Sequence, residues 1–389
     1  MTMPWPTLAL EEIASVQRGK FSARPRNDPK YYGGEIPFIQ TGDVANSAGC
    51  VRSYSQTLNP DGLSVSKLFP KGSLVVTIAA NIGDVAKVEF DFACPDSLVV
   101  VQANEGVNTD WLQYSLESKK ELLDSFAPQN AQKNINLEVL RPLAFDVPPL
   151  GEQQRIAGAI NAWNTAIGKT ERLITAKERH YTYELSRLIS RGNHPRSHVG
   201  TFANEISDRN RGGDEARVLS VTNSRGFVLP EDQFERRVAS ADLSNYKVVR
   251  RGQYAYNPSR INVGSIARLD SWDDGVLSPM YIVFGLDEAK VNSDYFLHWL
   301  DSHEARERIK KSAQGSVRET VSFTEFAGLT IPLPDTTKQA AIARYLNEMR
   351  AEIDALGVYA RKLKTQKRGL MQKLLTGQWR VKVPEAETI

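Results

Sequence analysis

An internal repeat is the feature that most limits how this chain can fold. The segment "VPPLGEQQRIAGAI" at residues 147–160 returns in altered form as "LPDTTKQAAIARYL" at residues 333–346. An offset of 186 residues aligns the two without a gap and pairs Gln153 with Gln339 and Asn161 with Asn347. In each copy a proline-containing extended segment leads into a polar turn and the start of a helix. The sequence therefore predicts two copies of one structural unit.

Each copy continues into a long amphipathic helix. Apolar side chains recur at steps of mostly three and four residues from Ile156 to Leu188, and again from Ile342 to Leu374. This spacing is typical of a coiled-coil seam. Each helix is predicted to have roughly 38 residues and a length of about 57 Å. Because one helix cannot bury such a stripe alone, we expect the two helices to pack on each other.

The segments before the helices also correspond. The stretch "FPKGSLVVTIAANIGDVAKV" matches "VRRGQYAYNPSRINVGSIARL", and each predicts a turn, a strand, an Asn-containing loop and a second strand. Further on, "NTDWLQYSLESKKELLDSF" matches "NSDYFLHWLDSHEARERIKKS", where a polar residue before Asp is expected to cap a short helix. The predicted fold class is mixed α+β, with two α/β domains that are each followed by a long helix.

The repeat also predicts the domain boundaries. We expect a first domain at residues 1–147 and a first helix at 148–191. A second domain is expected at 192–333, a second helix at 334–377 and a C-terminal tail at 378–389.

Composition excludes several classes of protein. No apolar run approaches the roughly 20 residues of a membrane helix, and no leader-like apolar core follows the N-terminus, so we expect a cytoplasmic protein. The two cysteines, Cys50 and Cys94, cannot form a disulfide framework. His194 and His198 have the spacing of metal ligands, but a solvated linker is favoured because no acidic or thiol partner is close in sequence.

Basic residues are concentrated near the end of the chain. The net charge is only +3, yet no Asp or Glu occurs between Ala355 and Pro384, where eight Lys and Arg residues stand. This basic stretch fits either a solvated helix face or a contact with nucleic acid. Taken alone, the charge pattern slightly favours the solvated helix face.

Several segments together resemble the specificity subunit of Type I restriction–modification systems. They are "IPFIQTGDV", "NPSRINVGSI", "QKNINLEVL" with "VPPLGEQQRIA", "IPLPDTTKQAAIA" and "LLTGQWRV", and they cover essentially the whole chain in order. The resemblance implies two target recognition domains held apart by an antiparallel coiled coil. It implies that each domain reads one half of a bipartite, asymmetric DNA target.

The resemblance also implies a chain without catalytic activity or cofactor of its own. Its expected partners are double-stranded DNA and two methylation subunits, which would carry S-adenosylmethionine. Two restriction subunits, which would use ATP and magnesium, could join that complex.

Candidate DNA contacts follow from the loops in which the two copies differ, since identical domains would require a palindromic target. These loops are rich in side chains that match base edges and phosphates. The candidates in the first domain are Arg24, Arg26, Lys30, Tyr31, Gln40, Thr41, Asn81, Gln132 and Lys133. Those in the second are Arg209, Arg211, Asn223, Asn257, Arg260, Asn262, Ser316 and Arg318. Tyr32, Tyr254 and Tyr256 could also contact DNA, but a core or strand-pairing role is favoured for the tyrosines.

Enzymatic interpretations fit the sequence poorly. "YNPSRI" at 256–261 partly matches the adenine-methyltransferase motif, but Ser259 and Arg260 replace the residues that would stack on a flipped base. No Gly-rich phosphate loop and no "GxSxG" elbow occurs, and the nuclease-like fragments "PDSL" and "EAK" are far apart.

Two other classes remain open. A stand-alone DNA-binding protein with two reading domains would share these features, whereas a scaffold without a DNA role would leave the divergent basic loops unexplained. The long helices also carry apolar residues outside the seam, namely Leu173, Leu185, Leu356 and Tyr359. These residues suggest a further binding surface for a partner, which favours a specificity subunit over a stand-alone DNA-binding protein.

Overall fold

The computed structural model describes residues 4–79, 81–127, 134–213, 215, 217–232, 242–314 and 320–381. The chain forms two compact units, one of Met1–Lys169 with Ala360–Ile389 and one of Thr170–Tyr359. Each unit contains one α/β domain and part of each long helix.

The strands of the first unit are β1 (Thr7–Ala9), β2 (Ala14–Arg18), β3 (Tyr32–Pro37), β4 (Cys50–Val51), β5 (Thr57–Leu58), β6 (Leu68–Phe69), β7 (Leu74–Thr77), β8 (Val85–Val88), β9 (Phe92–Ala93), β10 (Leu98–Ala103) and β11 (Ala144–Asp146). Five of them form a sheet of order β2-β10-β7-β8-β4, in which only the β4 pairing is parallel. Its short helices are α1 (Leu10–Ile13), α2 (Thr41–Ala45), α3 (Pro60–Ser64), α4 (Thr109–Glu117), α5 (Lys120–Ser125) and α6 (Leu137–Leu140).

The first long helix is α7 (Leu150–Leu185), and a single π-helical turn at Ser186–Ser190 follows it. The strands of the second unit are β12 (Arg196–His198), β13 (Ala203–Ile206), β14 (Ser220–Thr222), β15 (Gly226–Val228), β16 (Lys247–Arg250), β17 (Tyr254–Tyr256), β18 (Ile266–Arg268), β19 (Asp274–Leu277), β20 (Ile282–Leu286) and β21 (Thr330–Pro332). Four of them form a sheet of order β13-β20-β17-β18, which corresponds to the first four strands of the first sheet. Its helices are α8 (Ser293–Asp301), α9 (His303–Gln314), α10 (Phe323–Ala327) and the second long helix, α11 (Thr336–Leu375).

Strand pairing confirms the tandem repeat. The antiparallel pairs β2–β10, β10–β7 and β7–β8 of the first unit recur as β13–β20, β20–β17 and β17–β18 in the second. The small pair β1–β11 likewise recurs as β12–β21. Asn108 and Asn292 cap α4 and α8 through their side chains, as the sequence predicts.

The long helices contribute to both cores, and within each unit their segments run antiparallel. In the first unit the start of α7, at Ile156 and Ile160, shares a core with Leu374 near the end of α11. In the second unit Tyr181, near the end of α7, shares a core with Ile342 near the start of α11. Lys177 of α7 also pairs with Glu352 of α11 at 2.6 Å.

Exposure on the long helices differs in part from the prediction. Leu173 and Tyr359 are exposed, as expected of residues outside the seam. Leu185 was wrongly assigned to that surface. It is only 4% exposed and packs in the core of the second unit, because α7 meets the sheet-bearing domain on that side.

Candidate nucleic-acid interface

Polar loops of the first unit gather at one end of its sheet. Because β2, β10, β7 and β8 are antiparallel neighbours, the end of β2, the start of β10 and the end of β7 lie at the same end of the sheet. Arg18 ends β2, Asn81 lies between β7 and β8, and Asp96 precedes β10. Asn134 joins them because it forms a β-bridge with Ala79.

Asp96 accepts hydrogen bonds from two arginines at this end of the sheet. Its carboxylate accepts from Nη2 of Arg26 at 2.7 Å, and its backbone carbonyl accepts from Nε of Arg18 at 2.6 Å. Partial burial acts to raise the pKa of Asp96, but the hydrogen bond and charge of Arg26 and the charge of Arg18 outweigh it and lower the pKa. Both guanidinium groups are therefore held beside a carboxylate that stays ionised.

The segment after β2 contributes further positive charge. Arg24 is exposed, and its guanidinium donates to the carbonyl of Ala23 at 2.8 Å. Lys30 is exposed as well, and its ammonium lies 4.9 Å from the ring centre of Tyr31. Hydrogen bonds to Tyr31 and Asp28 raise the pKa of Lys30, so this side chain remains charged. Tyr31 is half-buried and packs edge-on against Phe21.

Gln40 and Thr41 lie at the start of α2, which packs on β7 and β8. Nε2 of Gln40 donates to Oε1 of Gln56 at 2.7 Å, and both Gln40 and Thr41 are half-buried. Asn81, by contrast, is exposed, and its carbonyl accepts from the Thr77 hydroxyl. The structure thus places Arg26 and Asn81 at the polar end of the sheet. Gln132 and Lys133 lie outside the described residues.

The second unit has the equivalent polar end. Thr222 ends β14, Asn257 follows β17, and the loop from Asn257 to Ser265 leads into β18. Ser265 is buried, and its hydroxyl donates to the carbonyl of Val221 at 2.8 Å, which joins the two loops.

Gly264 brings Asn223 into this group. It has a φ of 93°, which favours glycine, and a Cβ there would lie 3.6 Å from Cβ of Asn223. The loop therefore collects Asn223, Asn257, Arg260 and Asn262. Arg260 and Asn223 are exposed, and Asn257 and Asn262 are half-buried.

Arg209 and Arg211 follow β13 at the same end of the second sheet. Nη1 of Arg209 donates to the carbonyl of Asn245 at 2.6 Å, and Arg209 forms a β-bridge with Lys247. Both arginines are exposed. Ser316 and Arg318 lie outside the described residues. Tyr254 and Tyr256 are fully buried, so the favoured core role of these two tyrosines is confirmed.

The opposite end of each sheet attaches to a long helix. In the first unit Nε2 of Gln153 donates to the carbonyl of Pro148 at 2.8 Å, and Oε1 accepts from the backbone N–H of Asn108 at 2.7 Å. Asp110 of α4 bridges Nζ of Lys87 in β8, at 2.6 Å, and Nδ2 of Asn161 in α7, at 3.3 Å. The sheet, the short helix and the long helix are thus tied by one polar network.

The second unit repeats this network with altered side chains. Asp294 of α8 bridges Nη1 of Arg268 at 2.7 Å and Nδ2 of Asn347 at 2.8 Å. Tyr114, which donates to Asn161 in the first unit, is replaced by His298, whose Nε2 lies 2.8 Å from Oδ1 of Asn347. Both networks join segments that are distant in the sequence, and the only signal of them in the sequence is the matching position of Asn161 and Asn347 in the repeat.

The polar ends have the chemistry of a nucleic-acid surface. Guanidinium and amide groups can donate to base edges and phosphates, and several of those at the polar ends, such as Arg26, Asn81 and Arg260, are exposed. Within the described ranges no three His, Cys, Asp or Glu residues are grouped as metal ligands. His194 and His198 instead lie 2.8 Å and 2.9 Å from the carbonyls of Leu188 and Gly328. No helix in the described part of the chain is long and apolar enough to span a membrane.

Comparisons with known proteins agree with this arrangement. Residues 3–175 match the family described as Type I restriction modification DNA specificity domain. The chain is 21% identical over 409 aligned residues to the putative type I restriction enzyme MjaX specificity subunit of Methanocaldococcus jannaschii, covering 97% of this chain and 94% of that protein. It is 20% identical to the MjaVIII specificity subunit of the same organism, with 79% of each chain covered.

Two solved structures share the fold at 15% identity. The S subunit of a Type I system from M. genitalium superposes with a TM-score of 0.59 and covers 96% of both chains. A chain from a study of assembly and conformational transition of the type I restriction–modification system superposes with a TM-score of 0.61, covering 97% of this chain and 99% of that one. Residues 3–175 thus match the DNA specificity domain of Type I restriction–modification systems, and the chain as a whole has the fold of the S subunits of such systems.

Proposed function

We propose that the chain reads a bipartite, asymmetric DNA sequence and positions the methylation subunits of a Type I restriction–modification complex on it. The observation that carries this proposal is the recurrence of one sheet with different polar loops at the same end. Arg18, Arg26 and Asn81 occupy that end in the first unit, and Asn223 and Arg260 occupy it in the second. Two related but non-identical reading surfaces fit a split target with unequal halves.

The long helices supply the spacing in this proposal. If α7 and α11 form one antiparallel coiled coil, as the helix pairs within each unit support, the two domains would lie about one DNA turn apart or slightly more, with a turn of about 34 Å. Residues 1–147 and 192–333 then act as the two target recognition domains. Residues 148–191 and 334–377 act as the spacer between them.

In this proposal the chain is the non-catalytic subunit of its complex. Two methylation subunits with S-adenosylmethionine would carry out adenine methylation, and two restriction subunits with ATP and magnesium could join them. All of these partners work on chromosomal or invading DNA, so the proposed location is the cytoplasm. The exposed Leu173 and Tyr359 on the long helices support a partner surface.

A sequence-selection experiment tests the proposal. The chain, copurified with its methylation subunit, is incubated with randomised duplex DNA, and bound sequences are recovered at increasing salt. We expect a split, asymmetric motif and a binding constant that falls steeply with salt, because phosphate contacts release counterions.

A matched exchange provides the control. Replacing residues 1–147 with those of a relative should change one half of the motif and leave the other half intact. A change in both halves would contradict independent reading by two domains. A selective motif without a methylation partner would instead favour a stand-alone two-headed DNA-binding protein.

A further inference from the structure

A cleft of about 260 Å³ opens at the polar end of the first sheet. Its lining is Arg18, Phe126, Asn134, Ile135, Asn136 and Val139. The lining combines one guanidinium group and two side-chain amides with an aromatic ring that is 50% exposed. None of the four residues that carry these groups is among the candidate contacts predicted from the sequence.

Strand register identifies the position equivalent to Arg18 in the second unit. Lys87 and Arg268 hold equivalent places in the two polar networks, and they pair with Leu74 and Tyr254. Leu74 pairs in turn with Val101, and Tyr254 with Phe284; on the next strand these two pair with Val16 and Glu205. Counting two residues on from Val16 and Glu205, Ser207 occupies the place of Arg18, so the second domain has no guanidinium group there.

The other lining positions differ in the same way. Asn136 caps α6 and Ser322 caps α10, so these two residues are equivalent. Counting from these caps, Asn134 corresponds to Thr320, and Val139 corresponds to Glu325.

The neighbouring buried positions are preserved in kind. Ile135 and Val321 are both buried, as are Leu140 and Phe326. The two domains thus keep buried apolar residues beneath the cleft and differ in the residues that line it. This pattern is expected where each domain reads a different sequence.

The guanidinium group of Arg18 is oriented before any ligand binds. Its Nε donates to the carbonyl of Asp96 at 2.6 Å, and Asp96 is itself fixed by Arg26. Arg18 is exposed, and this arrangement leaves its two Nη groups for a ligand. A planar pair of donors matches the O6 and N7 acceptors of guanine in the major groove, and this is the commonest base-specific arginine contact.

We propose that this cleft is a base-reading site of the first domain, in which the Nη groups of Arg18 donate to O6 and N7 of a guanine in one half-site. The inference rests on the proposed DNA-reading function and assigns one position of the target to one side chain. Asn134 and Asn136 lie beside Arg18 and can donate to the neighbouring bases.

The variant Arg18→Lys tests this assignment, because it keeps the charge and removes the planar pair of donors. Binding is measured with the duplex obtained by selection and with duplexes that carry each of the other base pairs at every position of both half-sites. Arg52→Lys is the matched control, since Arg52 is exposed and follows β4 at the other end of the sheet. Urea unfolding of all variants monitors the fold, and Arg18→Gln serves as a second variant.

We expect Arg18→Lys to lower the preference for guanine at one position of one half-site by at least about fivefold. The other half-site, the salt dependence and the Arg52→Lys control should stay unchanged. Unaltered discrimination at every position would overturn the assignment. A uniform loss of affinity would also overturn it, since it would make Arg18 a phosphate contact. A wild-type chain without any split preference would refute the proposed function instead.

Discussion

Gln153 and Gln339 make the same hydrogen bonds at the starts of the two long helices. Nε2 of each donates at 2.8 Å to a proline carbonyl, that of Pro148 or Pro334. Oε1 of each accepts from the backbone N–H of the residue that caps an earlier short helix, Asn108 of α4 at 2.7 Å or Asn292 of α8 at 2.8 Å. Both side chains are almost completely buried. One amide thus fixes the angle between domain and helix in each copy.

Replacing Gln339 with Leu should reduce the free energy of unfolding by about 1–3 kcal/mol, because buried backbone groups lose their partners. Chemical denaturation of the full chain measures this loss. Lys338→Ala, at the exposed neighbouring position, should have little effect. Equal stability of the two variants would show that the amide contributes nothing to the fold.

Glu152 should respond strongly to the loss of Arg380. Its carboxylate accepts from Nε and Nη2 of Arg380, both at 2.8 Å, and from the indole N–H of Trp5 at 3.1 Å. Arg380→Ala removes charged hydrogen bonds from a buried carboxylate, so we expect a loss of about 1.5–3 kcal/mol in unfolding free energy. If Glu152→Gln makes Arg380→Ala nearly neutral, the two groups act as a pair. Additive effects would contradict this coupling.

The same pair predicts a dependence on acid pH. Burial acts to raise the pKa of Glu152, but Arg380 and Trp5 together outweigh it and lower the pKa. A depressed pKa gives stability that is present above the unfolded value, about 4.3, and is lost as pH falls through the folded value. The stability difference between wild type and Glu152→Gln should therefore shrink below about pH 4.

His298 predicts a second pH effect in the other unit. Burial lowers the pKa of this imidazole, although Asn347, Asp301 and Asp294 act in the opposite direction. Below the unfolded pKa, about 6.5, the unfolded chain binds the proton more readily, so acid destabilises the fold until the folded pKa is passed. Denaturation at pH 5.5 and 7.5 should show a smaller pH difference for His298→Gln than for wild type. An identical difference would mean that His298 does not titrate in this way.

The long helices predict a change of spacer. Deleting one heptad from each, residues 168–174 and 354–360, removes about 10 Å from the proposed coiled coil. The distance between half-sites should fall by roughly three base pairs, since ten to ten and a half base pairs span about 34–36 Å. Sequence selection on the deleted chain should recover the same half-sites with a shorter spacer. An unchanged spacer would contradict the role of the helices as a ruler.

The repeat, the long helices and the capping of α4 and α8 could be predicted from the sequence because each depends on local pattern. Apolar spacing predicts a helix such as α7, and Asn108 before Asp110 predicts its neighbour α4. The mixed fold class also follows from these local patterns, and the structure confirms it. Exposed loops such as that of Asn81 could be located because they interrupt strand patterns.

The contacts that join distant segments could not be predicted. Arg18 ends an ordinary strand, and it lines a cleft with Asn134 and Asn136, which are far from it in the sequence. Leu185 has the spacing of an outer residue, yet the domain that packs on α7 buries it. Glu152 and Arg380 are 228 residues apart, and nothing local marks them as partners.

The most direct measurement is modified-base sequencing of DNA from cells that express this chain with its methylation subunit, beside cells that lack only this chain. The account predicts methylated adenines in one split, asymmetric motif that disappears without the chain. A stable complex that leaves no such motif, or a motif that persists without the chain, would contradict the claim that this protein selects the target.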